Sequence, residues 1–97
     1  MPKGYWIAHV DVRDPEAYKD YVAASKLAFD KYGARALARG GAYESTEGRE
    51  WRRNVVLEFP SLEAAQQCYH SPEYAVARKL RQPVATAEIV LVEGVPD

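Results

Sequence analysis

Asp14-Pro15-Glu16 and Ser71-Pro72-Glu73 spell the same helix start twice in this chain. In each, an oxygen acceptor can cap the first free backbone N–H groups and proline fits the first helical position. An acid then follows near the positive end of the helix dipole. After Asp14, the residues Tyr18, Tyr21, Val22, Ser25, Ala28, Phe29 and Tyr32 recur at three- and four-residue spacing. That spacing predicts an amphipathic helix from about Pro15 to Tyr32, with the three tyrosines in the core and Gly33 as a left-handed cap. Ser71 restarts a helical region already opened by Ser61-Leu62-Glu63, so the second helix is split and Pro72 bends its path. Leu62, Ala65, Cys68 and Tyr69 form the apolar side of its first part, and Tyr74, Val76, Ala77 and Leu80 that of the second.

The segments between the helices read as strands. Tyr5–Val12 is rich in β-formers: Trp6, Ala8, Val10 and Val12 lie on one face, and Tyr5, Ile7, His9 and Asp11 on the other. Ala34–Ser45 reads as an irregular strand in which Gly40-Gly41 marks a bulge, a bend or a close backbone approach. Thr46–Glu50 is a charged hairpin connection around Gly48. Arg53–Phe59 returns with Val55, Leu57 and Phe59 on one face and Asn54, Val56 and Glu58 on the other, and Ala87–Glu93 is the last strand. The order β-α-β-β-α-β in 97 residues predicts one domain of α+β class. Its arrangement is ferredoxin-like: a four-stranded antiparallel sheet with the helices on one face.

Such a sheet leaves its second face bare. Tyr5, Ile7, His9, Val56 and Glu58 fall there, with either Val90 and Val92 or Ile89 and Leu91. A chain this short buries only roughly 60–65% of its surface, so a second copy packing sheet on sheet is the economical cover. Thirteen Lys plus Arg against fourteen Asp plus Glu leave a formal charge of −1, which argues against a nucleic-acid binder. Arg49, Arg52 and Arg53 flank Trp51, but Glu44, Glu47 and Glu50 are interleaved, so that stretch reads as a solvated hairpin. A lone Cys68 excludes an internal disulfide and reads as an inert core thiol. No signal-peptide pattern and no apolar run long enough for a bilayer are present, which points to a cytoplasmic protein without a membrane partner.

Several segments resemble a known family: Gly4-Tyr5-Trp6-Ile7-Ala8, Asp14-Pro15-Glu16-Ala17-Tyr18, Arg39-Gly40-Gly41, Glu58-Phe59-Pro60-Ser61, Tyr69-His70-Ser71-Pro72-Glu73-Tyr74 and Val90-Leu91-Val92-Glu93-Gly94-Val95. In order and spacing they are similar to domain-of-unknown-function family 1330, over essentially the whole chain. The resemblance implies the dimeric α/β-barrel superfamily. Relatives by fold there include cofactor-free monooxygenases, muconolactone isomerase and haem-binding chlorite dismutases. It implies architecture and leaves the reaction open.

Two residue groups carry the possible chemistry. His9 and Glu58 lie on neighbouring strands of the bare face, where a base and its orienting carboxylate, or a structural network at a dimer interface, would each fit. Arg39 would neutralise Glu58 or capture a ligand carboxylate. The second group is Tyr69, Ser71, Tyr74 and Arg78, around a helix start whose N–H groups suit an anion; they would form a pocket mouth, or simply core edge. His9 and His70 have no metal-ligand spacing and there is no phosphate loop, so neither metal nor cofactor is expected. The reading is a homodimer binding a small aromatic or carboxylate metabolite between sheet and helices. Its alternatives are a cofactor-free monooxygenase- or isomerase-like enzyme and a non-catalytic assembly module.

Overall fold

A computed structural model describes residues 2–96. The elements run β1 (Gly4–Val12), α1 (Pro15–Lys31), β2 (Arg35–Arg39), β3 (Arg53–Phe59), α2 (Leu62–Tyr69), α3 (Pro72–Arg81) and β4 (Ala85–Glu93). The strands form one antiparallel sheet in the order β2-β3-β1-β4. This is the ferredoxin-like arrangement.

Local chemistry sets the element ends. The Asp14 carboxylate accepts from Ala17 N–H at 3.1 Å, Ser61 Oγ from Ala64 N–H at 3.1 Å, and Ser71 Oγ from Tyr74 N–H at 3.1 Å. Gly33 closes α1 with φ +78°. At Gly4, a Cβ would stand 2.3 Å from the Ser61 carbonyl oxygen, so glycine lets β1 start against the entry to α2.

Alternation on β1 and β3 is as the sequence implies. Trp6, Ala8, Val10, Leu57 and Phe59 are buried beneath the helices. The β1–β4 register puts Tyr5 opposite Val92, Ile7 opposite Val90 and His9 opposite Glu88, so Val90 and Val92, not Ile89 and Leu91, lie on the bare face. Trp6 is the hub of the core: Phe29 and Tyr74 meet it edge-on, with ring centroids 5.2 Å and 4.9 Å away, and Phe59 stacks beyond.

Three expectations are corrected. β2 ends at Arg39, not Ser45, and residues 40–50 are exposed irregular chain. Three glycines and the interleaved charges give this stretch no apolar face to bury. The bulge falls between Ala36 and Ala38, before Gly40-Gly41. On α3, Val76 is 59% and Leu80 39% exposed, while Arg81 is buried. The inward stripe is Tyr74, Ala77 and Arg81, the i, i+3, i+7 set.

α2 covers β1, β4 and β3, and α3 packs on α1. α1 packs along α3, reaches β1 through Phe29 on Trp6 and does not cover β2, all five residues of which are exposed. The molecule measures 38 × 35 × 17 Å, a slab of two layers. Among the described residues no helix is long and apolar enough to cross a membrane.

Candidate functional site

The gap between α1 and the β2–β3 half of the sheet is a cavity of ≈ 370 Å³. Its floor is Trp6, Ala8, Val10, Val55 and Leu57, and α1 contributes Tyr18, Tyr21, Val22 and Phe29. Ala34, just before β2, and Ala36 on it give it room, because small side chains leave the volume a Leu or Ile would take. The volume lies in the ordinary range for small-molecule pockets.

Three arginines enter this apolar space. Arg53 shares its strand face with Val55 and Leu57 and therefore points inward. Arg81 comes from the last turn of α3, with only 7% of its surface exposed. Arg39 arrives through the bulge. Arg35 and Ala36 pair with Glu58 and Leu57, but beyond the extra residue Arg39 pairs with Val55 rather than with Asn54. That one-residue slip turns Arg39 from the bare face to the cavity face.

Tyrosine rings hold two of the three guanidiniums. Arg53 lies 5.5 Å from the Tyr18 ring centroid and Arg81 5.9 Å from that of Tyr21, and the two rings are 5.1 Å apart. No ion pair among the described residues uses Arg39, Arg53 or Arg81. Burial raises the Tyr18 hydroxyl above its ordinary pKa of 10.0, and the neighbouring Arg53 and Arg81 partly oppose the rise. Burial also raises Tyr21, whose hydroxyl shares a 2.9 Å hydrogen bond with that of Tyr74. Both phenols stay neutral, so they leave the arginine charge uncancelled.

The expected His9–Glu58 pair does not form. Glu58 stands opposite Tyr5 and His9 opposite Asn54, four positions along β1, or roughly 13 Å at strand rise. Glu58 accepts from Tyr5 Oη at 3.3 Å and lies 4.0 Å from Arg35, so Arg39 is not its neutralising partner. His9 Nδ1 lies 2.7 Å from Asn54 Oδ1, and Asn54 Nδ2 donates to the Trp51 carbonyl at 3.1 Å. That second bond fixes the amide so that its oxygen faces the histidine, which makes His9 Nδ1 the donor. Trp51 stacks on the imidazole at 6.3 Å, and Arg49, paired with Asp11, lies 3.5 Å over the indole. This cluster occupies the bare face. The sheet separates His9 from the cavity.

The Tyr69–Arg78 segment builds core. Tyr74 is fully buried, and Tyr69 packs 5.5 Å from Trp6 with Arg78 5.5 Å over its outer side. Ser71 Oγ caps α3 and donates to the Cys68 carbonyl at 2.7 Å, so its polar capacity is spent on the chain. Burial pushes the Cys68 thiol up to about 12, where it is inert. Of the expected ligand-binding residues, Arg39 alone lines the cavity. Arg53, Arg81, Tyr18 and Tyr21 complete it. The first two had a signal in the sequence: each is a charged residue in register with an apolar stripe.

The family model described as Domain of unknown function (DUF1330) matches residues 3–95. The chain belongs to that family. No curated protein matches the DUF1330 chain. Among solved structures it is similar to RPA0582, a protein of unknown function from Rhodopseudomonas palustris, at 21% identity and a TM-score of 0.78, covering 99% of this chain and 85% of that one. It is also similar to SnoaB, a cofactor-independent oxygenase from Streptomyces nogalater, at 11% identity and a TM-score of 0.63, covering 100% and 97%. A third is a dimeric protein of unknown function with a ferredoxin-like fold from Bacteroides fragilis, at 18% identity and a TM-score of 0.55, covering 94% and 95%. At these identities the likeness concerns the fold.

Proposed function

We propose that this DUF1330 protein is a homodimer whose subunits each hold a small aromatic or carboxylate-bearing metabolite between α1 and the sheet. The observation that carries the reading is the ≈ 370 Å³ cavity, walled by aromatic rings and lined by arginines without acidic partners among the described residues. A module built only for assembly has no use for such a void on the helix side of its sheet, because unfilled volume forfeits packing energy.

The dimer reading rests on the other face. Val90 is 55% and Val92 43% exposed beside Ile7 and Val56, whereas the far end of that face carries His9, Asn54 and Glu88. Such a patch, on a slab 17 Å thick, suits a sheet-on-sheet partner, and relatives by fold are described as dimeric. His9 and Asn54 would then sit at the subunit boundary in a structural role.

A thermal-shift screen of aromatic acids and phenols tests the pocket, with Ala36→Trp as the filled-cavity control. We expect the melting temperature to rise with a guest, and the rise to vanish in the variant. Equal shifts in both proteins would remove the cavity as the site. Light scattering after size-exclusion chromatography tests the assembly, and a monomer at micromolar concentration would end the dimer reading.

A further inference from the structure

We infer that the guest is a flat aromatic carboxylate whose carboxylate is received by Arg81 and Arg53 at the inner wall of the cavity. The inference rests on the pocket reading above and adds the chemical class of its occupant. Arg81 is more than nine-tenths buried, lines the cavity, and its Nε has no hydrogen-bond partner; the Nε of Arg53 is also buried and unpartnered. A buried guanidinium with an unused donor is costly unless something absent from the chain completes it.

Among the described residues no carboxylate supplies that completion. Lys26 and Asp30, also on the lining, pair with each other at 2.6 Å, so the remaining charge of the wall is that of Arg39, Arg53 and Arg81. The carbonyls at the end of α3 offer Arg81 a partial negative field. This makes the charge tolerable and leaves the Nε–H donor unused. The Tyr18 and Tyr21 faces fix the two guanidiniums in place, so little side-chain freedom is lost when an anion arrives. A planar fork of donors matches a carboxylate two bonds at a time, which a single phenol oxygen cannot use as fully. The body of the guest then lies against Trp6, Phe29 and Val55, where ring faces and edges reward a flat aromatic group. Arg39 is exposed at the outer strand and draws the anion toward the opening.

Calorimetry on the dimeric or monomeric full chain with three probes of one shape tests this: naphthalene-2-carboxylate, its neutral carboxamide, and 2-naphthol. The carboxylate should bind at least about tenfold tighter than either neutral probe at pH 7. Carboxamide or naphthol binding as tightly as the carboxylate overturns the inference and leaves the pocket standing. No binding by any of the three removes the pocket reading itself. Arg81→Met should lose the carboxylate preference while the ligand-free protein melts at the same or a higher temperature, because an uncompensated buried charge has gone. A lower melting temperature with the preference intact assigns Arg81 a structural role and overturns the inference. Arg53→Gln, at a half-buried position, gives the same readout should the Met variant fail to fold: retention of the full tenfold preference there counts against the two-arginine receptor.

Discussion

Over β1 and β4 the helix layer is shut, and over β2 it is open. Under α2 and α3, Trp6, Phe59, Tyr69 and Tyr74 fill the space ring against ring, and Ala65, Cys68 and Ala77 are wholly buried. Under α1, the cavity-facing residues of β2 are only Ala36 and Arg39, and the helix packs along α3 while touching the sheet through Phe29 on Trp6. Both halves obey the same alternation of side chains. They differ in volume: large rings close one half, and small or charged residues hold the other apart. The shut half supplies the stability that lets the open half keep a void and unpaired charge.

That comparison fails first if the two halves respond alike to substitution. Phe59→Ala removes a 1%-exposed ring from the shut half and should cost about 3–5 kcal/mol in urea unfolding. Ala36→Leu adds bulk to the open half and should change stability by less than about 0.5 kcal/mol, because the cavity accepts it. A large cost for Ala36→Leu would mean that the open half is packed after all.

Gly40 links the loop to the open half. It adopts φ +71°, and a Cβ there would stand 2.6 Å from Arg53 Nη1. Gly40→Ala should cost about 1–2 kcal/mol and shift Arg53, weakening any carboxylate ligand. Unchanged stability and binding would detach the loop from the site. Tyr74→Phe tests the seam between halves: it leaves the buried Tyr21 hydroxyl without its 2.9 Å partner and should cost about 1 kcal/mol in the same assay. No cost would show that water reaches Tyr21 from the cavity.

The smallest effect is expected at the surface pair Lys31–Glu73, 2.8 Å apart, which ties the end of α1 to the start of α3. The Lys31 ammonium, hydrogen-bonded to Glu73, holds that carboxyl below its ordinary 4.5, so the contribution is present above pH 4.5 and is lost as pH falls through the depressed folded value. Lys31 is raised above 10.5 by the same bond, so its contribution is full below pH 10.5 and is lost as pH rises through the folded value. Glu73→Gln should therefore lower the melting temperature slightly at neutral pH and converge on the parent protein at both extremes. A difference that persists at pH 3 would assign the effect to another contact.

Much of this was legible in the sequence, and the exceptions have physical causes. The Asp14, Ser61 and Ser71 caps and the alternation of Arg53–Phe59 are local properties, so they could be read residue by residue. Val76 and Leu80 misled because a helix stripe is chosen by what it meets, and Arg81 met the cavity instead. His9 and Glu58 share a face in the sequence pattern, yet their distance is a matter of strand register, which alternation alone does not set.

By itself, then, the sequence determined the order of elements, the two faces of the sheet and the membership of an α+β class, because caps, turns and side-chain periods act over a few residues. Only the tertiary structure decided that α1 stands clear of β2, that a bulge turns Arg39 inward, and that Arg53 and Arg81 line one cavity. Those depend on which distant surfaces touch, and a cavity is defined by surfaces that do not.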